Sequence, residues 1–102
     1  MIFDWDPEKR KKNILERKID FIDAALVWDD PMRQERIDHR KEYGEIRYQT
    51  IGRVRFGILF VVYTARVNVD GEDVIRVISV RKASKRDKME YESKTFHLRR
   101  IE

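Results

Sequence analysis

Residues 57–81 decide the fold and read GILFVVYTARVNVDGEDVIRVISVR. Two runs rich in valine and isoleucine, residues 57–67 and 72–81, flank the sequence NVDG at residues 68–71. β-Branched residues favour strands, and Asn, Asp and Gly favour tight turns between strands. The stretch therefore predicts an antiparallel β-hairpin. Its near-continuous apolar character predicts strands that are buried on both faces.

A third strand is predicted just before this hairpin, over residues 45–54, so that the three strands form an antiparallel meander. Gly52 interrupts the alternation of this strand and is interpreted as the position of a β-bulge. Residues 32–44 are charged and poorly periodic. We predict that they form a connection with a helical turn near residues 36–41.

The N-terminal segment predicts a short strand followed by a helix. Ile2–Trp5 alternates between apolar and polar residues, and it is expected to join the same sheet because an isolated strand leaves its backbone groups unpaired. Asp6 precedes a proline and has the chemistry of a helix N-cap. The helix is predicted to run to Arg17, with Ile14 and Leu15 facing inward.

Two further helices complete the predicted order of elements. One follows Asp20 over residues 21–28, and the other covers residues 83–93 after the hairpin. Residues 93–102 are a C-terminal extension to which no role is assigned. Trp5 and Trp28 are expected in the core, and the isolated histidines His39 and His97 on the surface. The fold class is therefore α+β, in a single domain of residues 1–102.

Composition narrows the possible functions. The chain has no cysteine, which excludes disulfides and thiolate metal sites. Residues 1–31 carry six Lys/Arg against eight Asp/Glu, whereas residues 32–102 carry seventeen against eleven. The basic part favours either a polyanionic partner or an ordinary solvated surface, and both interpretations stay open. The sequence predicts no signal peptide, no membrane segment and a cytoplasmic location.

Arginines lie within the apolar hairpin, and strand alternation sorts them by face. Arg66 shares a face with Phe60, and Arg81 shares a face with Val77, whereas Arg76 is predicted on the opposite face from Arg81. One interpretation is that these guanidinium groups bind a phosphate, for which their planar geometry is suited. The other is that Arg66 and Arg76 pair with acids of the protein such as Asp38, Glu45 or Glu72.

The chain resembles the BrnT family of toxins from bacterial type II toxin–antitoxin systems over about residues 3–92. The resemblance is carried by an ordered set of short stretches rather than by one motif. They are Phe3-Asp4-Trp5-Asp6 with Lys9 and Asn13, Ile19-Asp20-Phe21 with Ala24 and Ala25, Asp29-Asp30-Pro31, Asp38 with Tyr43-Gly44-Glu45 and Arg47, Ile51-Gly52, Val61-Val62-Tyr63-Thr64 with Arg66, Ile75-Arg76-Val77-Ile78-Ser79 with Arg81 and Ala83, and Tyr91.

The resemblance implies a RelE-like fold and a toxin that cleaves RNA and so halts translation. It also implies a BrnA-like antitoxin whose DNA-binding half lets the complex bind operator DNA. One position departs from the family pattern: Arg17 stands where the family often has histidine. Arginine stays protonated and is a poor proton acceptor, so this position is either not catalytic or altered here.

Clustered acids for a metal site are not evident in the sequence, so we expect RNA cleavage without a metal or other cofactor. In this scheme the 2′-hydroxyl attacks the phosphorus, Arg66 and Arg81 hold the scissile phosphate, Arg47 assists and Glu45 is the base. Further RNA contacts are expected from Arg17, Arg76, Lys82, Lys85 and Arg86, although Arg76 is also a candidate anchor for the last helix. The alternative is a non-catalytic domain that binds nucleic acid or a partner chain.

Overall fold

The computed structural model describes residues 1–98, which form the predicted α+β fold. The strands are β1 (Ile2–Trp5), β2 (Gln34–Ile37), β3 (Tyr48–Val54), β4 (Gly57–Val67) and β5 (Asp73–Lys82); the α-helices are α1 (Pro7–Arg17), α2 (Phe21–Ala25) and α3 (Lys85–Ser93); and 3-10 helices span Leu26–Asp29 and Phe96–Leu98. Within this part of the chain no helix is both long and apolar enough to cross a membrane.

All five strands form one mixed sheet in the order β1-β5-β4-β3-β2. The predicted hairpin is β4 and β5, and the predicted partnership of the first strand is confirmed, since β1 lies parallel to β5 at one edge. The turn between β4 and β5 is built around Asn68, whose side-chain oxygen accepts hydrogen bonds from the backbone N–H groups of Asp70 and Glu72. Gly71 has a φ of 81°, a conformation that glycine adopts without strain.

The two faces of the sheet are covered by different helices. The face that carries Leu59, Val61 and Val77 packs against α2 and the 3-10 helix after it, and is called the α2 face. The face that carries Phe60 and Val62 packs against α3 and Phe96, and is called the α3 face. β4 is therefore buried on both faces from Ile58 to Tyr63, as its apolar run predicts, and becomes exposed over its last residues.

A β-bulge in β5 changes which residues share a face. Val62 pairs with Ser79 but Tyr63 pairs with Val77, so Ile78 is an extra residue on β5. Alternation before and after a bulge is out of phase. The prediction that Arg76 and Arg81 lie on opposite faces is therefore wrong, since both register with residues of the α3 face.

The bulge predicted at Gly52 is also wrong, because Gly52 pairs regularly with Leu59. The residue is small for a packing reason. A Cβ atom at this position would lie 2.5 Å from Cγ1 of Val27 and 3.0 Å from its backbone oxygen. The missing side chain lets the 3-10 helix after α2 approach the sheet closely.

Residues 32–44 contain a strand that the sequence analysis did not predict. Gln34–Ile37 forms β2 and pairs antiparallel with β3 at the second edge of the sheet. The helical turn expected near residues 36–41 is therefore wrong. β3 begins at Tyr48, so Glu45 does not open a strand as expected but lies in the loop before it.

The helix starts follow the predicted capping chemistry. The Asp6 side chain accepts a hydrogen bond from the N–H group of Glu8, and Asp20 forms a capping box with Asp23. The expected inward orientation of Ile14 and Leu15 is wrong, since they are 37% and 66% exposed.

Asn13 is the buried residue of α1. Its side chain donates to the carbonyl of Val80 and accepts from the N–H group of Val80. This amide therefore satisfies the backbone of β5 at Val80, three residues beyond the last position of β5 that pairs with β1.

The C-terminal segment contributes to the core. α3 begins after the N-cap Ser84, and the buried Phe96 contacts the ring of Phe60 edge-to-face at 5.9 Å. The guanidinium of the buried Arg36 lies 3.6 Å from the Phe96 ring centroid and donates to the Phe96 carbonyl. Of the extension, residues 99–102 lie outside the described residues.

Candidate nucleic-acid interface

Arg66 and Arg76 lie on the α3 face at one end of the sheet, and Arg47 directly precedes β3 at the same end. Arg76 pairs with Thr64, and Arg66 lies two residues further along β4 on the same face. Arg47 directly precedes Tyr48, the partner of Tyr63, so one more step of this register puts Arg47 level with Thr64. Neighbouring strands are about 4.8 Å apart, which places Arg47 and Arg76 on either side of Thr64. We call Arg47, Thr64, Arg66 and Arg76 the basic end of the α3 face.

Asp4 holds two of these arginines together. Its carboxylate contacts the Arg66 guanidinium at 3.2 Å and the Arg76 guanidinium at 3.4 Å. The two arginine side chains are 59% and 46% exposed, so the pairs are solvent-screened and weak. The partner that the sequence analysis left open is therefore Asp4, rather than Asp38, Glu45 or Glu72. The arrangement leaves two cations side by side at the surface with one anion between them.

A loop of residues 38–47 forms the rim of the basic end and is anchored by Asp38. The buried Asp38 carboxylate accepts two hydrogen bonds from the Arg40 guanidinium and one from the Tyr43 hydroxyl. Burial raises the pKa of this carboxyl, but the hydrogen bonds and charge of Arg40 outweigh burial and lower the pKa to about 2. Asp38 therefore stays ionised and fixes the loop at neutral pH.

The loop brings Glu45 and Arg47 together. The Arg47 Nε atom lies 3.2 Å from Oε2 of Glu45, and the Arg47 guanidinium lies 4.1 Å from the centroid of the Tyr43 ring. Glu45 is about half exposed, so its carboxylate is accessible to a ligand. Within the described residues, Glu45 and Arg47 are the only acid and cation of the predicted catalytic set that contact each other.

The loop also lines a cavity of about 500 Å³ with residues that the sequence analysis did not select. Tyr43 is half-buried there, and His39 is exposed, as expected for a surface histidine. His39 was set aside because no metal-ligand spacing surrounds it. The sequence signal that points to His39 is its position between Asp38 and Glu45, which both belong to the stretch that carries the family resemblance.

Arg81 is placed differently from the other arginines. It lies on the α3 face, but roughly 20 Å from Arg66 when counted along β5 from Val74, the partner of Arg66. Its guanidinium donates to the Asp87 carboxylate at 2.8 Å and lies 3.9 Å from the centroid of the Phe60 ring. The expectation that Arg66 and Arg81 hold one phosphate is therefore not compatible with this geometry.

Asp87 is the residue that ties Arg81 to α3. Its side chain is 2% exposed and also accepts a hydrogen bond from the backbone N–H group of Ser84. Burial raises the pKa of Asp87, but the hydrogen bonds from Ser84 and Arg81 outweigh burial, so the pKa lies below the ordinary value. Arg81 therefore contacts a buried carboxylate at the first turn of α3 that is ionised at neutral pH.

The remaining predicted RNA-binding residues surround β5. Arg17 lines a cavity of about 220 Å³ between α1 and β5 together with Lys9, Lys12 and Ser79. Lys85 and Arg86 are exposed in the first turn of α3. Lys82 is exposed and pairs with Leu59, a residue of the α2 face, so it does not share a face with Arg81. The cations thus form separate groups rather than one patch.

Comparison with known families gives one result that covers most of the chain. No protein with a curated description matches it in a sequence search. A family model for BrnT, the ribonuclease toxin of a type II toxin–antitoxin system, matches residues 5–87. This range includes the loop of residues 38–47 and all of β3, β4 and β5. The chain therefore belongs to the BrnT family of ribonuclease toxins of type II toxin–antitoxin systems.

Proposed function

We propose that this protein is an endoribonuclease that cleaves RNA without a metal ion, and that the basic end of the α3 face holds the scissile phosphate. The observation that carries the proposal is the placement of Arg66 and Arg76 on one face beside Thr64, both in contact with Asp4. The Arg47–Glu45 pair directly precedes β3 at the same end of the sheet. Fixed guanidinium groups suit phosphate oxygens because each can donate two parallel hydrogen bonds.

The proposed reaction is attack by the 2′-hydroxyl on the adjacent phosphorus. Glu45 accepts the hydroxyl proton, the new O–P bond forms, and the bond to the 5′-oxygen breaks. The arginines neutralise the negative charge that develops on the phosphoryl oxygens. The leaving 5′-oxygen takes up a proton, and we assign the imidazole of His39 in the same loop as its donor. The products are a 2′,3′-cyclic phosphate and a 5′-hydroxyl.

Arg81 and the remaining cations receive supporting roles in this proposal. Arg81 anchors α3 through Asp87 and is not assigned to the scissile phosphate. Arg17, Lys85 and Arg86 are exposed in two other groups of cations and are assigned to phosphates further along the RNA. Contacts of this kind strengthen binding in a salt-dependent way and carry no sequence specificity.

The biological role follows from the family. Membership in a type II toxin–antitoxin family implies an RNA target and an antitoxin partner. We propose that RNA cleavage inhibits translation in the cytoplasm and that a BrnA-like antitoxin neutralises the protein and attaches the complex to operator DNA. The element order of strand, two helices, antiparallel strands and helix supports a RelE-like assignment of the single domain, with β2 as an added edge strand.

The end groups of the cleavage products test the chemistry. Wild-type protein in the presence of EDTA is expected to release RNA fragments with a 2′,3′-cyclic phosphate and a 5′-hydroxyl. Glu45→Gln removes the proposed base and is expected to slow cleavage about a hundredfold or more. Glu8→Gln, a change in an exposed carboxylate at the start of α1, serves as the matched control. Fragments with a 5′-phosphate, or full activity in Glu45→Gln, would contradict the proposal.

One observation favours the alternative of a non-catalytic binding domain. Each of the arginines Arg47, Arg66, Arg76 and Arg81 has a carboxylate of the protein within 3.4 Å. Induced expression without the antitoxin separates the two functions. A ribonuclease toxin arrests growth and fragments RNA, whereas a binding domain shifts RNA in a gel without cutting it.

A further inference from the structure

A cavity of about 550 Å³ lies on the α2 face, at the same end of the sheet as the basic end but on the opposite side. It is lined by Trp28, Arg33, Glu35, Tyr48 and Tyr63, and we call it the aromatic cleft. None of these residues belongs to the site proposed above. Its volume falls within the range of roughly 300–1,000 Å³ that is usual for small-molecule sites.

Aromatic rings form the walls of the cleft. Tyr48 stacks on Tyr63 with ring centroids 5.4 Å apart and an angle of 21° between the ring planes. Trp28 contacts Tyr63 and Phe3 edge-to-face, with ring centroids 4.9 and 5.2 Å apart, and the Arg33 guanidinium lies 4.9 Å from its ring centroid. Tyr63 is buried, whereas Trp28 and Tyr48 are only half-buried. The cleft therefore exposes flat aromatic surface in a fixed geometry.

Arg33 and Glu35 supply hydrogen-bonding groups beside these rings. Nη1 of Arg33 donates to the Thr50 hydroxyl and lies 3.5 Å from Oε2 of Glu35, which also accepts from the Tyr63 hydroxyl. The Arg33 guanidinium also lies 4.9 Å from the centroid of the Trp28 ring and interacts with the Tyr63 hydroxyl. Within residues 1–98 the hydrogen bond to Glu35 is accepted by Oε2, which leaves Oε1 to accept from a ligand.

Tyr63 fixes the orientation of the carboxylate. Burial, together with the hydrogen bond to Glu35, raises the pKa of the Tyr63 hydroxyl well above its ordinary value. The hydroxyl therefore remains a donor at all physiological pH values. This contact fixes one oxygen of Glu35 and leaves the side chain 51% exposed.

The charges of the cleft indicate what kind of ligand it accepts. Among its lining residues Arg33 faces two acids, Glu35 and Asp73, whereas the guanidinium of Arg36 lies on Phe96 at the α3 face. A phosphate site needs an excess of positive charge, which this cleft lacks. Flat aromatic walls with a paired donor and acceptor instead match a planar, uncharged ring that has both acceptor and donor atoms on its edges.

We propose that the aromatic cleft binds a guanine base of single-stranded RNA, a proposal that rests on the RNA-cleaving function proposed above. Guanine stacks on Tyr48 beside the Arg33 guanidinium that covers Trp28, its O6 and N7 acceptors face Arg33, and its N1–H and N2–H donors face Glu35. Tyr48 follows Arg47 directly in the chain, so the cleft and the basic end lie on either side of the first residues of β3. The cleft then selects a base close to the cleaved phosphate.

Nucleotide binding tests this proposal independently of cleavage. The chain has two tryptophans, so Trp5→Phe makes Trp28 the single fluorescent reporter. In this background GMP is expected to quench the fluorescence at lower concentrations than AMP or UMP. Glu35→Gln is expected to weaken GMP binding about tenfold and to reduce the preference over AMP. Tyr48→Leu is expected to weaken binding of all three nucleotides by about the same factor.

Glu8→Gln is the matched control and is expected to leave GMP binding unchanged, because this exposed carboxylate lies outside the cleft. Equal binding of the three nucleotides, or no quenching, would overturn the proposal even if RNA cleavage is intact. Loss of cleavage in Glu45→Gln with unchanged GMP binding would support it. Unaltered GMP binding but loss of antitoxin binding in Glu35→Gln would overturn it and assign the cleft to the antitoxin.

Discussion

Arginine has two roles in this chain, and the burial of its carboxylate partner distinguishes them. Arg81 pairs with Asp87, which is 2% exposed, whereas Arg66 and Arg76 share the partly exposed Asp4. Exposed ion pairs contribute only about 0–1 kcal/mol, so a phosphate dianion or diester can displace Asp4. Breaking a pair that has a buried carboxylate costs several times more. At the residue scale the structure therefore favours Arg66 and Arg76 as ligand-binding groups.

Asp38 gives a prediction about pH and stability. The pKa of its carboxyl is about 2 in the folded protein against an ordinary value of 3.8, so ionised Asp38 stabilises the fold by about 2 kcal/mol. Because the folded-state pKa is the lower one, this contribution is complete above about pH 5 and is lost as the pH falls towards 2. Urea unfolding of wild type and Asp38→Asn at a series of pH values measures it.

The difference in free energy of unfolding between wild type and Asp38→Asn is expected to be about 2 kcal/mol at pH 7 and to shrink below pH 4. Other carboxyls with a lowered pKa, such as those of Asp20 and Asp87, are present in both proteins, so their contributions to the free energy of unfolding cancel in this difference. A difference that stays constant from pH 7 to pH 2.5 would show that Asp38 does not act through its charge.

At the scale of elements, the hairpin was predictable because its pattern is local. The turn residues 68–71 and the apolar runs on either side predict β4 and β5 without information from the rest of the chain. β2 was not predictable in the same way. Its four residues QERI are mostly polar, and the strand forms because its backbone pairs with β3 and its Arg36 packs on Phe96, sixty residues further on.

The contacts within the candidate site were predictable in part for the same reason. Glu45 and Arg47 are two residues apart, so their contact required no knowledge of the sheet. The shared face of Arg66 and Arg76 depends on pairing of β4 with β5, and the relation of both to Arg81 depends on the extra residue Ile78. Nothing in the apolar sequence around Ile78 signals a bulge, since valine, isoleucine and serine continue the strand pattern on both sides.

Arg81 provides a prediction about α3. Arg81→Ala leaves the buried Asp87 without its guanidinium, and Asp87→Asn removes the charge that Arg81 contacts. Each is expected to lower the free energy of unfolding by about 1–3 kcal/mol. Because Arg81 is assigned to α3 and not to the scissile phosphate, both variants should retain RNA cleavage within a few-fold of wild type at a temperature where they are folded.

Chemical unfolding and RNA cleavage of the two variants decide this assignment. Suppose that Arg81→Ala is folded but cleaves RNA a hundredfold more slowly, while Asp87→Asn is fully active. This result would contradict the assignment and would indicate that Arg81 binds the scissile phosphate. The comparison works because both changes disturb the same contact, and only one of them removes a cation.

At the scale of the whole molecule, two different surfaces meet at one end of the sheet. The α3 face presents cations there, and the α2 face presents the aromatic cleft. The opposite end carries the short turn between β3 and β4, where Arg55 is exposed. The chain as a whole carries a net charge of +4, so electrostatic attraction alone draws RNA to many parts of the surface. Cleavage, unlike binding, therefore tests the particular arginines that we propose for the scissile phosphate.

The most direct test of the central claim is the single-turnover rate of RNA cleavage by Arg47→Ala, Arg66→Ala and Arg76→Ala, with Arg55→Ala as the matched control. Each of the first three is expected to lose about a hundredfold in rate, since each removes a cation from the developing charge. Arg55→Ala removes the same charge at the other end of the sheet and is expected to stay within about twofold of wild type. Wild-type rates in all three variants, or an equal loss in Arg55→Ala, would contradict the claim that the basic end of the α3 face holds the scissile phosphate.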